Sequence, residues 1–232
     1  MKPNLTLAET KTPNGARMTL VEHDGDFCIR VNGQQLMHSA VSTSEALLGV
    51  LGCEKASEVK GGAPRVLIGG LGLGFTLKSV LESLGPKAKV DVAELFPEIV
   101  AWNRTFLLGL NGKLLADPRV NVIEKDVRAL LQRAGHAPYD AVMLDIDNGT
   151  TAMVKQENYA LYSESGMKFI AAAVKPGGRA AVWSACPDIA IERRLTKAGL
   201  AVKAVPAKLY ENAKRFAYMI YVADKPAGTV AR

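Results

Sequence analysis

The chain is poor in cysteine and has no long apolar run. Its three cysteines, Cys28, Cys53 and Cys186, are odd in number and show no metal-ligand spacing. That excludes a disulfide framework and a zinc module, and points to a reduced cytoplasmic setting. No stretch approaches the roughly 18 apolar residues that a membrane helix needs. Met1-Lys2-Pro3-Asn4-Leu5 carries no apolar signal stretch, so neither membrane nor export is expected. No Ser-His-Asp order and no phosphate-binding P-loop occur. What is present is ordinary globular material: 232 residues, 48% hydrophobic and 22% charged. This is enough for a full core in one domain with at most a small appendage. The net charge of +6 is spread thinly. Its densest cluster, Lys203, Lys208, Lys214 and Arg215, reads as solvated surface, so a nucleic-acid partner is not expected.

Residues 1–15 carry Pro3, Pro13 and Gly15 and read as a loose arm. Arg17 to His23, Phe27 to Val31 and Gln34 to His38 read as three strands of an antiparallel meander. Asp24-Gly25 and Asn32-Gly33 supply its turns. Ser42 and Glu45 form a capping-box pattern before a helix. The meander and that helix are assigned to 16–60, and Gly61-Gly62-Ala63-Pro64 leads into a main domain at 61–224, with 225–232 as a tail. In the main domain strands are expected at 65–69, 89–93, 120–124, 141–145 and 179–184. They alternate with helices at 75–84, 97–108, 127–133, 163–174 and 187–198. The alternation predicts a Rossmann-like α/β fold. Its sheet is seven-stranded and mostly parallel with helices on both faces, closed by an antiparallel pair near 201–205 and 216–223.

Four expected strand ends carry glycine or an acid, and in open α/β sheets ligands bind at those ends. Gly70, Gly72 and Gly74 follow the first strand and open a helix. The dinucleotide fingerprint needs a glycine three residues after the second. Counting from Gly70 or from Gly72, that place holds Phe75 or Leu77, so a cofactor without a pyrophosphate is expected. Glu94 ends the second strand, 20 residues beyond Gly74, where a carboxylate can accept bonds from both ribose hydroxyls. Asp126 ends the third strand and can serve an adenine amine, cap the next helix, or both. Asp145 ends the fourth strand, followed by Asp147 and Asn148 in the same loop.

These residues resemble a known family. Ile68-Gly69-Gly70-Leu71-Gly72-Leu73-Gly74, Val92-Ala93-Glu94-Leu95-Phe96-Pro97-Glu98, Asp117-Pro118-Arg119-Val120 and Tyr139 to Asp145 are similar to the spermidine synthases. That family lies within the class I S-adenosylmethionine-dependent methyltransferase fold. The resemblance runs over roughly 17–184. It implies that Gly70, Gly72 and Gly74 line the donor, that Glu94 holds its ribose, and that Asp126 and Val127 hold its adenine. It also implies that Asp145 handles an acceptor amine. Three departures stand out. Leu73 replaces the glycine-loop aspartate, Asn148 replaces the second acid after the fourth strand, and Leu36 to Ala40 lacks the family's Tyr-His-Glu.

The expected reaction is a displacement at an activated sulfonium, for which the protein must align a neutral amine. An alkyl amine has a pKa near ~10.4, so a carboxylate must take its proton or orient its lone pair. Asp145 is the candidate for this step. Asp147, Asn148, Tyr162 and His38 are candidates for holding the acceptor. Because the departures remove acids that would grip a polyamine, the residues favour methyl transfer from S-adenosylmethionine to a small amine-bearing molecule. The alternatives are aminopropyl transfer from decarboxylated S-adenosylmethionine and a nucleoside-binding homologue without catalysis. The resemblance and an open meander edge also admit a homodimer.

Overall fold

The computed structural model describes residues 3–12, 14–146 and 158–228. A four-stranded antiparallel sheet comes first: β1 (Leu5–Lys11), β2 (Arg17–His23), β3 (Asp26–Val31) and β4 (Gln34–His38), paired in chain order. The stretch read as a loose arm thus holds a strand. Leu5 to Lys11 pairs with β2 along its length, with one register shift between Thr6 and Ala8. The two turns behave as their sequences demand, with Asp24 and Asn32 at positive φ ahead of glycine.

The helix α1 (Thr43–Cys53) leads into the main sheet. The sheet contains β5 (Arg65–Gly69), β6 (Lys89–Glu94), β7 (Val120–Glu124), β8 (Tyr139–Leu144), β9 (Val174–Ser184), β10 (Ala201–Lys208) and β11 (Phe216–Asp224). Their spatial order is β10-β11-β9-β8-β5-β6-β7, parallel except where β11 joins β9 and β10. The intervening helices are α2 (Phe75–Ser83), α3 (Pro97–Arg104), α4 (Leu108–Asn111), α5 (Val127–Ala134), α6 (Asn158–Leu161), α7 (Glu164–Ala173) and α8 (Ile189–Lys197). The helix expected over 97–108 ends at Arg104, and the first strand of the last pair runs on to Lys208 and the second to Asp224.

Strand periodicity divides the core in two. Val66, Ile68, Val90, Val92, Ala141 and Met143 face α1, α2, α3 and the N-terminal sheet. Leu67, Ala93, Val142, Leu144, Ala180 and Val182 face α5, α7 and α8. Each fully buried Val, Leu, Ile or Met among them contributes about 1.5–3 kcal/mol. Met18, Leu20, Ile29 and Val31 of the small sheet belong to the first of these clusters.

The helix α1 packs with the main domain, across the boundary drawn at residue 61. Gly49 faces Ser79 so closely that a Cβ there would lie 2.7 Å from the serine Cβ. The Ser79 hydroxyl donates to the Ala46 carbonyl at 2.7 Å. At the far end Arg179 donates to the Leu51 carbonyl at 2.9 Å and pairs with Glu54 and with Asp224. The first turn of α1 is thereby held over the start of α2. Among the described residues no helix is long and apolar enough to cross a membrane, and no cluster of metal-binding side chains occurs.

Candidate active site

Strand order reverses at β5, whose neighbours β6 and β8 lead away in opposite directions. Connections leaving the carboxyl ends there diverge and open a crevice. A cavity of about 340 Å³ lies in it, within the range of small-molecule sites. Gly70, Gly72, Glu94, Asp126, Val127, Asp145 and His38, all expected from the sequence, line it.

The glycine loop is built for close approach. Gly70, Gly72 and Gly74 have φ of 94°, 51° and 91°. A Cβ on Gly70 would fall 2.2 Å from the Asp145 carbonyl oxygen. Asn103 holds the loop from behind, donating to the Gly72 carbonyl at 2.9 Å. Gly74 does not line the cavity; it caps α2 with its Cα toward Asn103 and Leu114.

Glu94 is 5% exposed, and both carboxylate oxygens accept main-chain N–H groups, from Leu71 and from Phe96, each at 2.9 Å. Burial raises its pKa against the opposing pull of those N–H groups. An oxygen with two lone-pair directions can still take a ligand hydroxyl. Asp126 caps α5 by accepting from the Arg128 N–H at 2.9 Å, and the Arg128 guanidinium closes back on it at 2.9 Å. The helix-capping role is therefore realised, and the carboxylate still borders the cavity.

The other end of the cavity is acidic. Asp145 accepts from the Thr76 hydroxyl at 2.7 Å. Glu45 also lines the cavity, held by the Ser44 hydroxyl at 2.5 Å. The capping box expected of Glu45 does not form: Ser42 makes no side-chain cap bond, and the carboxylate turns to the cavity. Burial, with the Asp145 charge added, pushes Glu45 up to about 7. Burial chiefly, with the Glu94 charge added and the Thr76 bond opposing, raises Asp145 to about 6. Trp183 and Tyr218 wall this end with ring centroids 4.9 Å apart.

Glu45, Thr76 and Tyr218 are site residues that the sequence reading missed. An acid in the first helical turn directly after the meander was the available sign for Glu45. Tyr162 does not line the cavity: it is 6% exposed in the core beneath α7, and its carbonyl accepts from Arg194 at 3.0 Å. Asp147 and Asn148 lie outside the described residues.

The raised acids carry a stability consequence. A carboxyl whose folded pKa is raised stabilises the fold below the ordinary carboxylate range, and that contribution is lost as pH rises through the folded value. The ligand-free protein is therefore expected to lose stability between about pH 4 and pH 7. Glu45→Gln should flatten this slope, gaining on the order of 1–2 kcal/mol at about pH 8. Urea unfolding at several pH values checks it. A variant with an unchanged or steeper slope would remove Glu45 from the account.

This fold is the class I S-adenosylmethionine-dependent methyltransferase architecture in its spermidine synthase-like form. A spermidine synthase from Thermotoga maritima superposes with a TM-score of 0.71 at 16% identity, over 94% of this chain and 72% of that one. Human methyltransferase-like protein 13, solved with SAH, superposes with a TM-score of 0.56 at 17% identity, over 81% of this chain and 82% of that one. In sequence, a polyamine aminopropyltransferase from Mycobacterium tuberculosis is 33% identical over 131 residues, which is 56% of this chain and 24% of the relative. The chain thus spans about a quarter of the length of the curated relatives it matches. No family model matches. The names of these relatives support the aminopropyl alternative better than the methyl reading preferred from the residues.

Proposed function

We propose that this protein transfers an aminopropyl group from decarboxylated S-adenosylmethionine to a small amine. The observation that carries the proposal is the charge of the cavity. Glu45, Asp145 and Glu94 lie at the glycine-loop end, and the lysine and arginine among the described lining residues, Lys125 and Arg128, follow β7. β7 and β8 are three strand spacings apart, about 14 Å at their ends. Arg128 is also engaged with Asp126. A donor tail ending in an ammonium suits Glu45 and Asp145 with Glu94 nearby, whereas a tail that also bears a carboxylate meets repulsion.

The donor supplies a sulfonium-bound carbon open to displacement. The chain supplies the rest. Glu94 and the glycine loop would hold the ribose side, and Asp126 and Val127 would border the base. Asp145, raised to about 6, is still largely ionised near neutral pH and can take a proton from the acceptor ammonium. The nitrogen keeps its electron pair and forms the new C–N bond, while the C–S pair passes to sulfur. Trp183 and Tyr218 offer aromatic faces to a cation near the same acids.

Methyl transfer is the second reading, favoured by Leu71 and Leu73. Both are apolar, at 2% and 1% exposure, in a loop where the spermidine synthases carry an aspartate. Calorimetry with both donors separates the two. Decarboxylated donor is expected to bind at least about tenfold tighter than S-adenosylmethionine, a difference of about 1.4 kcal/mol. The reverse order selects methyl transfer, and no binding of either donor or of methylthioadenosine overturns both.

A further inference from the structure

The second residue of α2 is Thr76, only 2% exposed. Its hydroxyl oxygen lies 2.7 Å from Asp145 Oδ2 and 3.2 Å from the main-chain oxygen of Glu45. A hydroxyl carries a single hydrogen, and a main-chain carbonyl can only accept. The two contacts therefore have two consistent arrangements. With Asp145 ionised, the hydrogen points at Asp145 and the carbonyl contact is weak. With Asp145 protonated, the carboxyl donates to Thr76, and Thr76 passes its own hydrogen to the Glu45 carbonyl. Each arrangement satisfies a buried hydroxyl, so the threonine responds to the charge of its neighbour.

We propose that Thr76 is a positioning residue that follows the proton on Asp145 and couples it to the first turn of α1, so that Asp145 and Glu45 receive the acceptor amine as one two-carboxyl unit. This rests on the amine-transfer reading above. The acceptor ammonium gives its proton to the Asp145 carboxylate: one N–H bond breaks, one O–H bond forms, and the nitrogen keeps the pair. Thr76 then turns toward the Glu45 carbonyl, and the Glu45 carboxyl, held by Ser44 and ionised above about pH 7, supplies the counter-charge for the alkylated ammonium. Among the described residues, the other titratable or charged groups around the pair are Glu94 from β6, His38 from β4 and Tyr218 from β11. Lys125, Asp126 and Arg128 lie beyond Glu94, after β7. Two like acids in one pocket titrate as a pair. Burial chiefly raises the affinity of both for protons, with the Asp145 charge adding to it at Glu45 and the Glu94 charge at Asp145.

The test needs no substrate. Carboxyl carbons of aspartate and glutamate are labelled and followed by NMR through a pH titration of the ligand-free protein. In Thr76→Val, which keeps the side-chain volume, the ionised form of Asp145 loses its donor. Asp145 should then bind its proton about tenfold more tightly. Thr76→Ser should restore the parent titration. Glu45→Gln removes the like charge and should shift Asp145 the opposite way. Should Thr76→Val fail to fold, the serine and glutamine variants still decide. An Asp145 titration indifferent to Glu45→Gln, or a serine variant that titrates unlike the parent, overturns the proposal. Failure of the underlying transfer reading would show separately, as absent donor binding with the coupled titration intact.

Discussion

Asp145→Asn is expected to lower amine alkylation about 10²–10⁴-fold while leaving methylthioadenosine affinity within a few-fold of the parent. The substitution changes charge and basicity and little else. Asparagine keeps the shape, and its carbonyl oxygen can still accept the Thr76 hydrogen that Asp145 accepts at 2.7 Å. What it cannot do is take a proton from an ammonium. Near neutral pH an alkyl amine with a pKa of ~10.4 exists almost wholly as the unreactive cation. The loss should therefore shrink as pH rises, because solvent supplies more of the free amine. A turnover profile over about pH 7–10, set beside calorimetry with methylthioadenosine, reads both halves. Equal turnover near neutral pH would remove Asp145 from the chemistry. Equal loss of nucleoside affinity would make it part of donor binding instead.

The difference between Asp145 and Glu45 marks how far residues alone could carry the site. Asp145, Glu94 and Asp126 sit where parallel strands end, and the hydrophobic run of each buried strand stops there. The glycine loop and the sheet with helices on both faces were legible for the same reason. Glu45 comes from outside that grammar. It reaches the cavity because Gly49 lets α1 lie against Ser79 and because Arg179 ties the far end of α1 to β9 and β11. Those contacts join residues far apart in the chain, so no local pattern reports them. The local pattern even misdirects: a serine followed three residues later by glutamate suggests a capping box, yet the acid turns away from the helix end. Tyr162 fails in the opposite sense. An aromatic placed just before a helix can serve core or cleft equally well, and here packing under α7 claims it. β1 was hidden by its flanking prolines, which read as disorder until a partner strand is present.

Gly70→Ala is expected to be the most damaging single methyl in the glycine loop, because the loop and the acid meet there. Gly70 donates its N–H to the Ala93 carbonyl at 2.9 Å, and Asp145 donates its own to the Gly69 carbonyl at 2.8 Å. The loop is thus pinned between β6 and the end of β8. With φ at +94° and the new Cβ 2.2 Å from a main-chain oxygen, no rotamer relieves the contact. The ends of β5 and β8 must part, carrying the glycine loop away from Asp145. Left-handed strain and overpacking together should cost about 3 kcal/mol or more. Nucleoside affinity should fall at least about 100-fold, which is 2.7 kcal/mol of binding energy. Two further glycines separate the causes. At Gly72 the added Cβ meets only the tip of Met37, a flexible chain that can move aside. At Gly177 φ is +80° but nothing lies within 4 Å, so only the conformational penalty of about 1–2 kcal/mol remains. Urea unfolding and methylthioadenosine calorimetry on the three alanine variants should rank the damage Gly70, Gly72, Gly177. If Gly70→Ala is no worse than Gly177→Ala, positive φ alone explains these glycines. The close crossing of loop and strand would then not be what sets the geometry between donor and acid.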